Sequence, residues 1–300
     1  VVNVVCMLLS LMVREEPLLN PSKIEWQPVI RVIGMVMAFT IIILASGSFV
    51  GRLTASIAAL HWSGRDFWLV LAATVGISLA ILFSVMAGLH ISLGAEATHN
   101  KEYTRWVVNR LAFLTGASNL GGFMTYFLQS KFAEMQGIQA AQPVSGLIIA
   151  TGVCILLSTL PSGWLCDRFG KKHIIVVSSL LVAAGVIVLV SVSRLEIMSI
   201  GAGMIGCGAG LFYTASWALG TTIVPQGMAG LYLGISNIAS AGAGAIGAYI
   251  GGPIGDKYGY GILMLVYGLI ALLSSLAFVE FKPLLWLRLA HVPAQIDDID

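Results

Sequence analysis

The sequence predicts an all-α polytopic membrane protein, and three observations carry that prediction. Hydrophobic residues make up 58% of the 300 residues, charged residues only 10%, and the mean hydropathy is +0.93, so polar surface is too scarce to coat a soluble globule. Eight apolar runs are each long enough to cross a hydrocarbon layer of about 30 Å as a helix. Charged residues fall almost entirely between those runs.

Taken in order, the chain opens on Val1 to Val13, an apolar run of about 20 Å as a helix, too short to span. No cations precede it and no small-residue cleavage site follows, so it does not read as a signal peptide. It reads as the end of a helix that starts upstream, which makes the sequence the expected distal part of a longer protein. Arg14-Glu15-Glu16-Pro17 stops that helix, and a polar linker with Pro21, Lys23 and Pro28 completes residues 1–28. Residues 29–105 hold two spans, at 29–51 and 67–93, joined by a turn with Arg52, His61 and Arg65 and followed by a polar loop from His99 to Arg105. Residues 106–281 hold six more, at 106–129, 143–165, 174–193, 196–219, 229–251 and 260–281. The tail 282–300 runs from Lys282 to the acidic Asp297-Asp298-Ile299-Asp300.

Orientation follows from where the cations stand. With the linker after Val13 placed in the cytoplasm, eleven of the 16 lysines and arginines lie at inner helix ends, among them Lys101, Arg110, Arg168, Lys171, Lys172 and Lys282. Five lie outside: Arg52, Arg65, Lys131, Arg194 and Lys257. The positive-inside rule selects this topology, with a cytoplasmic C-terminus.

The densest charge knot is Gly163-Trp164-Leu165-Cys166-Asp167-Arg168-Phe169-Gly170-Lys171-Lys172, set between two spans. Gly163 would let one helix end approach a neighbour, Asp167 and Arg168 could pair or cap helix ends, and Gly170 suits a turn at positive φ. Gly252-Pro253-Ile254-Gly255-Asp256-Lys257-Tyr258-Gly259 repeats the Gly-x-x-x-Asp-basic-aromatic-Gly pattern. Each copy closes the middle helix of a three-helix set, 106–193 and 196–281. Since three is odd, the copies are expected on opposite membrane faces, as in an inverted repeat.

The spacing Gly-x-x-x-Asp-Arg-x-Gly-Lys-Lys closely resembles the signature loop of the major facilitator superfamily of secondary transporters, in its weaker copy between helices 8 and 9. The resemblance implies that the last six spans are helices 7 to 12 of a six-helix C-terminal bundle. Val1 to Val13 would then end helix 6, and 29–51 with 67–93 would be an inserted helix pair. It implies alternating-access transport of a small-molecule solute in the lipid bilayer of the plasma membrane, together with an N-terminal transporter half as partner. A non-transporting assembly factor or receptor of the same fold is the alternative. By the same resemblance, Gly163, Asp167, Arg168, Gly170, Lys171 and Lys172 form a gating loop, in which Asp167 would secure its helix against the other half. Trp217-Ala218-Leu219, Val224-Pro225 and Gly230 to Asn237 look like the corresponding turn of relatives of the sugar:cation symporters, although charged residues often stand there at the positions of Ser216, Thr222 and Leu231.

Candidate solute contacts must lie near the midplane and face inward. Thr115, Asn119, Gly122 and Tyr126 share one helix face, Tyr213 and Trp217 are one turn apart, and Asn237 sits two turns into its span. Asn119, Tyr126, Tyr213, Trp217 and Asn237 are therefore the expected substrate-binding residues, Trp217 as a flat apolar wall. Hydrogen bonding between helices is the competing role. Arg110, one turn from the end of the apolar run, is expected to snorkel to the cytoplasm, with contact to an anionic substrate as the alternative. Glycines at 201, 203, 206, 208 and 210, and at 247, 251 and 255, prepare close helix contacts.

No phosphate-binding loop, nucleophile elbow or paired catalytic carboxylate is present, so an enzyme is not expected. Cys6, Cys154, Cys166 and Cys207 have no metal-ligand spacing, His90 and His99 do not make a site, and no cofactor is expected. A net charge of +2 does not point to nucleic acid.

Overall fold

Long apolar runs punctuated by glycine and charge fold as helices because the bilayer leaves no other way to satisfy the backbone within one segment. The computed structural model describes residues 26–60, 63–94, 100–225 and 227–278, and every regular element among them is helical. Val1 to Val13, the linker through Lys23 and the tail after Lys282 lie outside the described residues.

Helices α1 (Trp26–Ala58) and α2 (Arg65–Leu93) come first. Then α3 (Lys101–Gly122) continues past Phe123 into α4 (Met124–Lys131). A 3-10 turn at Gly137–Ala140 leads into α5 (Ala141–Phe169), followed by α6 (Lys171–Ser191) and α7 (Leu195–Ile223). Finally α8 (Ala229–Ile246) passes through a π turn at Gly247–Gly251 into α9 (Gly252–Tyr258), and α10 (Tyr260–Ser274) ends in a 3-10 turn.

Among the described residues, seven stretches have the length and hydropathy of membrane spans. The α3–α4 rod is not among them, since Lys101, Glu102, Arg105, Asn109, Arg110 and Asn119 dilute its apolar content. It nonetheless occupies the centre. Thirteen of the 22 residues of α3 are buried, by α10, α8, α7 and α2. Its first turn begins at Lys101 rather than at 106, because Asn100 caps it: the Tyr103 backbone N–H donates to Asn100 Oδ1 at 3.0 Å. Glu102 adds a favourable charge to the same turn.

Helix α7 is wedged between α5 and α6, and its glycines make room on both sides. A Cβ at Gly206 would lie 2.3 Å from the Thr151 carbonyl oxygen of α5, and one at Gly208 would lie 2.8 Å from the Ser178 carbonyl oxygen of α6. Larger residues there would force the backbones apart. Helices α1 and α2 pack on each other through Val50 against Gly76 and Met35 against Gly88. They dock on the rest through Phe39 against Gly242 and Tyr249 against Gly47.

Polar contacts at the helix ends fix which turns lie together. Lys172 pairs with Glu102 at 3.2 Å and Lys171 donates to Thr222, so the start of α3, the α5–α6 turn and the end of α7 share one end of the bundle. At the other end Lys131 Nζ donates to the Val190 carbonyl at 2.6 Å, and the Tyr126 ring stacks on Tyr260, centroids 5.4 Å apart. The turns at Gly170 and Gly259 therefore stand at opposite ends. Their backbones nearly coincide, with φ, ψ of 89°, 140° and 102°, 144°.

Candidate functional site

The membrane-buried face shared by α3, α7 and α8 gathers the most unusual polar chemistry among the described residues. Arg110 of α3 is only 5% exposed. It lies nine residues into its helix, roughly 14 Å along the axis from Lys101 and just over one turn past Trp106, where the apolar run starts. Its Nε–H donates to Ser240 Oγ of α8 at 3.0 Å, and Nη1 reaches Ser216 Oγ of α7 at 3.5 Å. The guanidinium carbon sits 4.2 Å from the Trp217 ring centroid and 5.6 Å from that of Trp106. Burying a guanidinium among apolar helices is costly, so the site must return that energy in contacts.

Trp106 anchors the arrangement. Its Nε1–H donates to the Ser216 carbonyl at 2.9 Å and lies 3.2 Å from Ser216 Oγ, and the indole fills the space a Cβ on Gly220 would need. One helical turn nearer the Lys171 end, the Tyr103 hydroxyl donates to the Tyr232 carbonyl at 2.6 Å. The exposed edge of this face carries Trp217, half-buried, Tyr213, 38% exposed, and Asn237, exposed. Ser236, wholly buried one turn before Ser240, has a hydroxyl without a hydrogen-bond partner.

The expected polar stripe divides. Thr115 and Asn119 are buried, and Asn119 Nδ2 donates to the Thr115 carbonyl at 2.8 Å and across to the Ala243 carbonyl of α8 at 3.2 Å. Its amide lies against Gly247, where a Cβ would come within 2.0 Å of it. Asn119 thus joins α3 to α8 beside the π turn, where the Tyr267 hydroxyl also donates to the Gly247 carbonyl at 2.8 Å. Tyr126 is 52% exposed at the far end, stacked on Tyr260 and away from Arg110. Of the five expected contacts, Trp217 touches Arg110, and Tyr213 stands one turn from Trp217 on α7.

At the α5–α6 turn, Gly170 takes φ 89° and its N–H donates to the Cys166 carbonyl at 2.9 Å. Asp167 and Arg168 are both exposed and do not pair. Arg168 lies over the rings of Trp164 and Phe169, at 5.2 and 5.6 Å. Asp167 forms no hydrogen bond or ion pair with the described residues. A Cβ on Gly163 would meet nothing within 4 Å, so the close helix approach expected there is not made to any described residue. That side of α5 turns away from α6 and α7. Among the described residues no group of three His, Cys, Asp or Glu could hold a metal ion.

A family model described as Major Facilitator Superfamily matches residues 106–294. The chain belongs to the major facilitator superfamily. No curated protein and no solved structure matches it. Members of this family are membrane transporters and not enzymes, and the match begins where α3 presents Trp106, leaving α1 and α2 outside.

Within this major facilitator, the expectation that Arg110 snorkels to the membrane surface fails. Counting from 106 suggests a side chain free to reach the surface, whereas the guanidinium is held under α8 by Ser240 and between the rings of Trp106 and Trp217. The Asn100 cap followed by Lys-Glu-Tyr-Thr-Arg was a readable signal of where the helix starts, a polar first turn that hydropathy alone excludes.

Proposed function

We propose that this major facilitator is a secondary-active carrier that moves a small organic solute by alternating access, and that residues 106–278 belong to its second half. The likeness of the Trp217 to Asn237 region to relatives of the sugar:cation symporters supports a polar solute. The observation that carries the reading is the meeting of Arg110, Trp217 and Ser240, from three helices, inside the bundle beside the exposed Tyr213 and Asn237. A static bundle has no need to bury a guanidinium with unused donors, whereas a carrier needs a polar contact point inside the bundle.

The bare side of α5, with Ile149, Leu156, Leu157 and Leu160 all more than 60% exposed, suits lipid or the other half of the carrier. We place the protein in the plasma membrane with the Lys171 end in the cytoplasm, which follows the excess of cations there. Tyr213, Trp217 and Asn237 line the solute path in this proposal, Asn119 and Tyr126 pack the helices around it, and the Gly163 to Lys172 turn controls the transition between states.

Uptake and efflux of a solute panel by cells expressing the intact protein test the function. Saturable flux of at least one solute is expected, and none across the panel would refute the carrier. Cysteine labelling tests orientation: a cysteine at Lys171 should react from the cytoplasmic side and one at Lys257 from outside.

A further inference from the structure

We infer that the solute is an organic monocarboxylate and that Arg110 holds its carboxylate, an inference that rests on the carrier reading above. The guanidinium is 95% buried, and its two protein hydrogen bonds, to Ser240 and Ser216, leave three of its five N–H donors without a described acceptor. Both acceptors are neutral hydroxyls. They orient the fork without neutralising it. All six described carboxylates, Asp66, Glu102, Glu134, Asp167, Glu196 and Asp256, stand at helix ends or in loops, and none comes within 4 Å of Arg110.

A planar fork with free parallel N–H groups matches a carboxylate in two-point geometry. One buried positive charge is balanced by one negative charge, so a monoanion fits a site of low dielectric where a dianion would leave net charge. The Trp217 ring lies under the guanidinium and is itself half-exposed, with Tyr213 one turn along, which gives a flat apolar surface for the body of the solute. The unpartnered Ser236 hydroxyl, one turn from Ser240 on the same side of α8, supplies a further donor.

The test titrates sodium benzoate and its neutral isostere benzamide into the intact protein in lipid nanodiscs, following the change in tryptophan emission, to which Trp106 and Trp217 beside Arg110 contribute. A saturable response to benzoate, at least tenfold stronger than to benzamide, is expected in the unmodified protein. Arg110→Gln should abolish that preference, and Arg110→Lys, which keeps the charge but loses the fork, should weaken benzoate binding about tenfold. Equal responses to benzoate and benzamide, no saturable response to benzoate, or an unchanged response in folded Arg110→Gln would each overturn the inference. The carrier reading fails separately. Saturable flux of neutral solutes that Arg110→Gln leaves intact would remove the anion site and keep the carrier, whereas benzoate binding without flux of any solute would keep the site and remove the carrier.

Discussion

Helices α3 and α5 invert the usual relation between apolarity and burial. α3 carries two asparagines, four charged residues and two tyrosine or tryptophan anchors, and thirteen of its 22 residues are buried. α5 is continuously apolar through most of its length, yet only Val144, Leu147, Ser162 and Cys166 of its 29 residues are buried. In water this pattern would be untenable. In a bilayer it is expected, since lipid rewards apolar surface as well as a neighbouring helix does, and the helix that must make specific bonds is sent to the centre.

If that contrast is right, equal insults to the two helices should have very unequal effects. Gly116 of α3 presses on α10, where a Cβ would lie 2.5 Å from the Tyr267 carbonyl oxygen and 3.0 Å from the Ala271 nitrogen. Gly116→Val must therefore displace backbone, and a loss of about 3 kcal/mol or failure to accumulate folded protein is expected, read by thermal unfolding in detergent.

Asp167 tests the opposite property of α5, its function without burial. Because this carboxylate has no partner among the described residues, Asp167→Asn should leave thermal stability unchanged. It should still shift the inward and outward populations by roughly five- to thirtyfold, if the carboxylate is engaged in only one of the two states. Flux measured beside accessibility of a cysteine in the α3–α7–α8 face checks this, and unchanged values for both would reduce Asp167 to a solvated turn residue.

A smaller effect is expected for Asn119→Ala, which removes the bonds to the Thr115 and Ala243 carbonyls and should cost about 1 kcal/mol in the same unfolding assay. Smallest of all is Leu160→Ala on α5, 82% exposed, which should stay within about 0.5 kcal/mol of the parent protein. A loss at Leu160 as large as at Asn119 would mean that the bare face of α5 is covered in the folded protein by something that depends on it.

The contrast also explains what the sequence reveals and what it hides. Apolar runs and the turn at Gly170 are local properties, so the helical course of all eight predicted runs, through the described residues, and the positive φ of that turn are legible from residue order. Burial is not local: Arg110 looks superficial because the apolar run starts at 106, and nothing in the residue order shows that α8 covers it. Partners are not local either. Nothing around Asn119 announces that it reaches Ala243 on α8, and the glycine that receives it lies 128 positions away at Gly247. Arg168 could have paired with its neighbour Asp167, but the aromatic rings at Trp164 and Phe169 offer it a flat partner and leave the carboxylate free. Trp217 was readable as a flat wall. What lies on it was not.

The most direct measurement places single cysteines at Tyr213 on α7 and at Leu156 on α5 and exposes membranes containing the protein to a water-soluble maleimide. The carrier account predicts that Tyr213→Cys is labelled and that a transported solute slows the labelling, while Leu156→Cys, 71% exposed but facing lipid or the other half, stays unreacted. Labelling of Leu156→Cys with Tyr213→Cys inert would contradict it, by putting water on α5 and none beside Arg110.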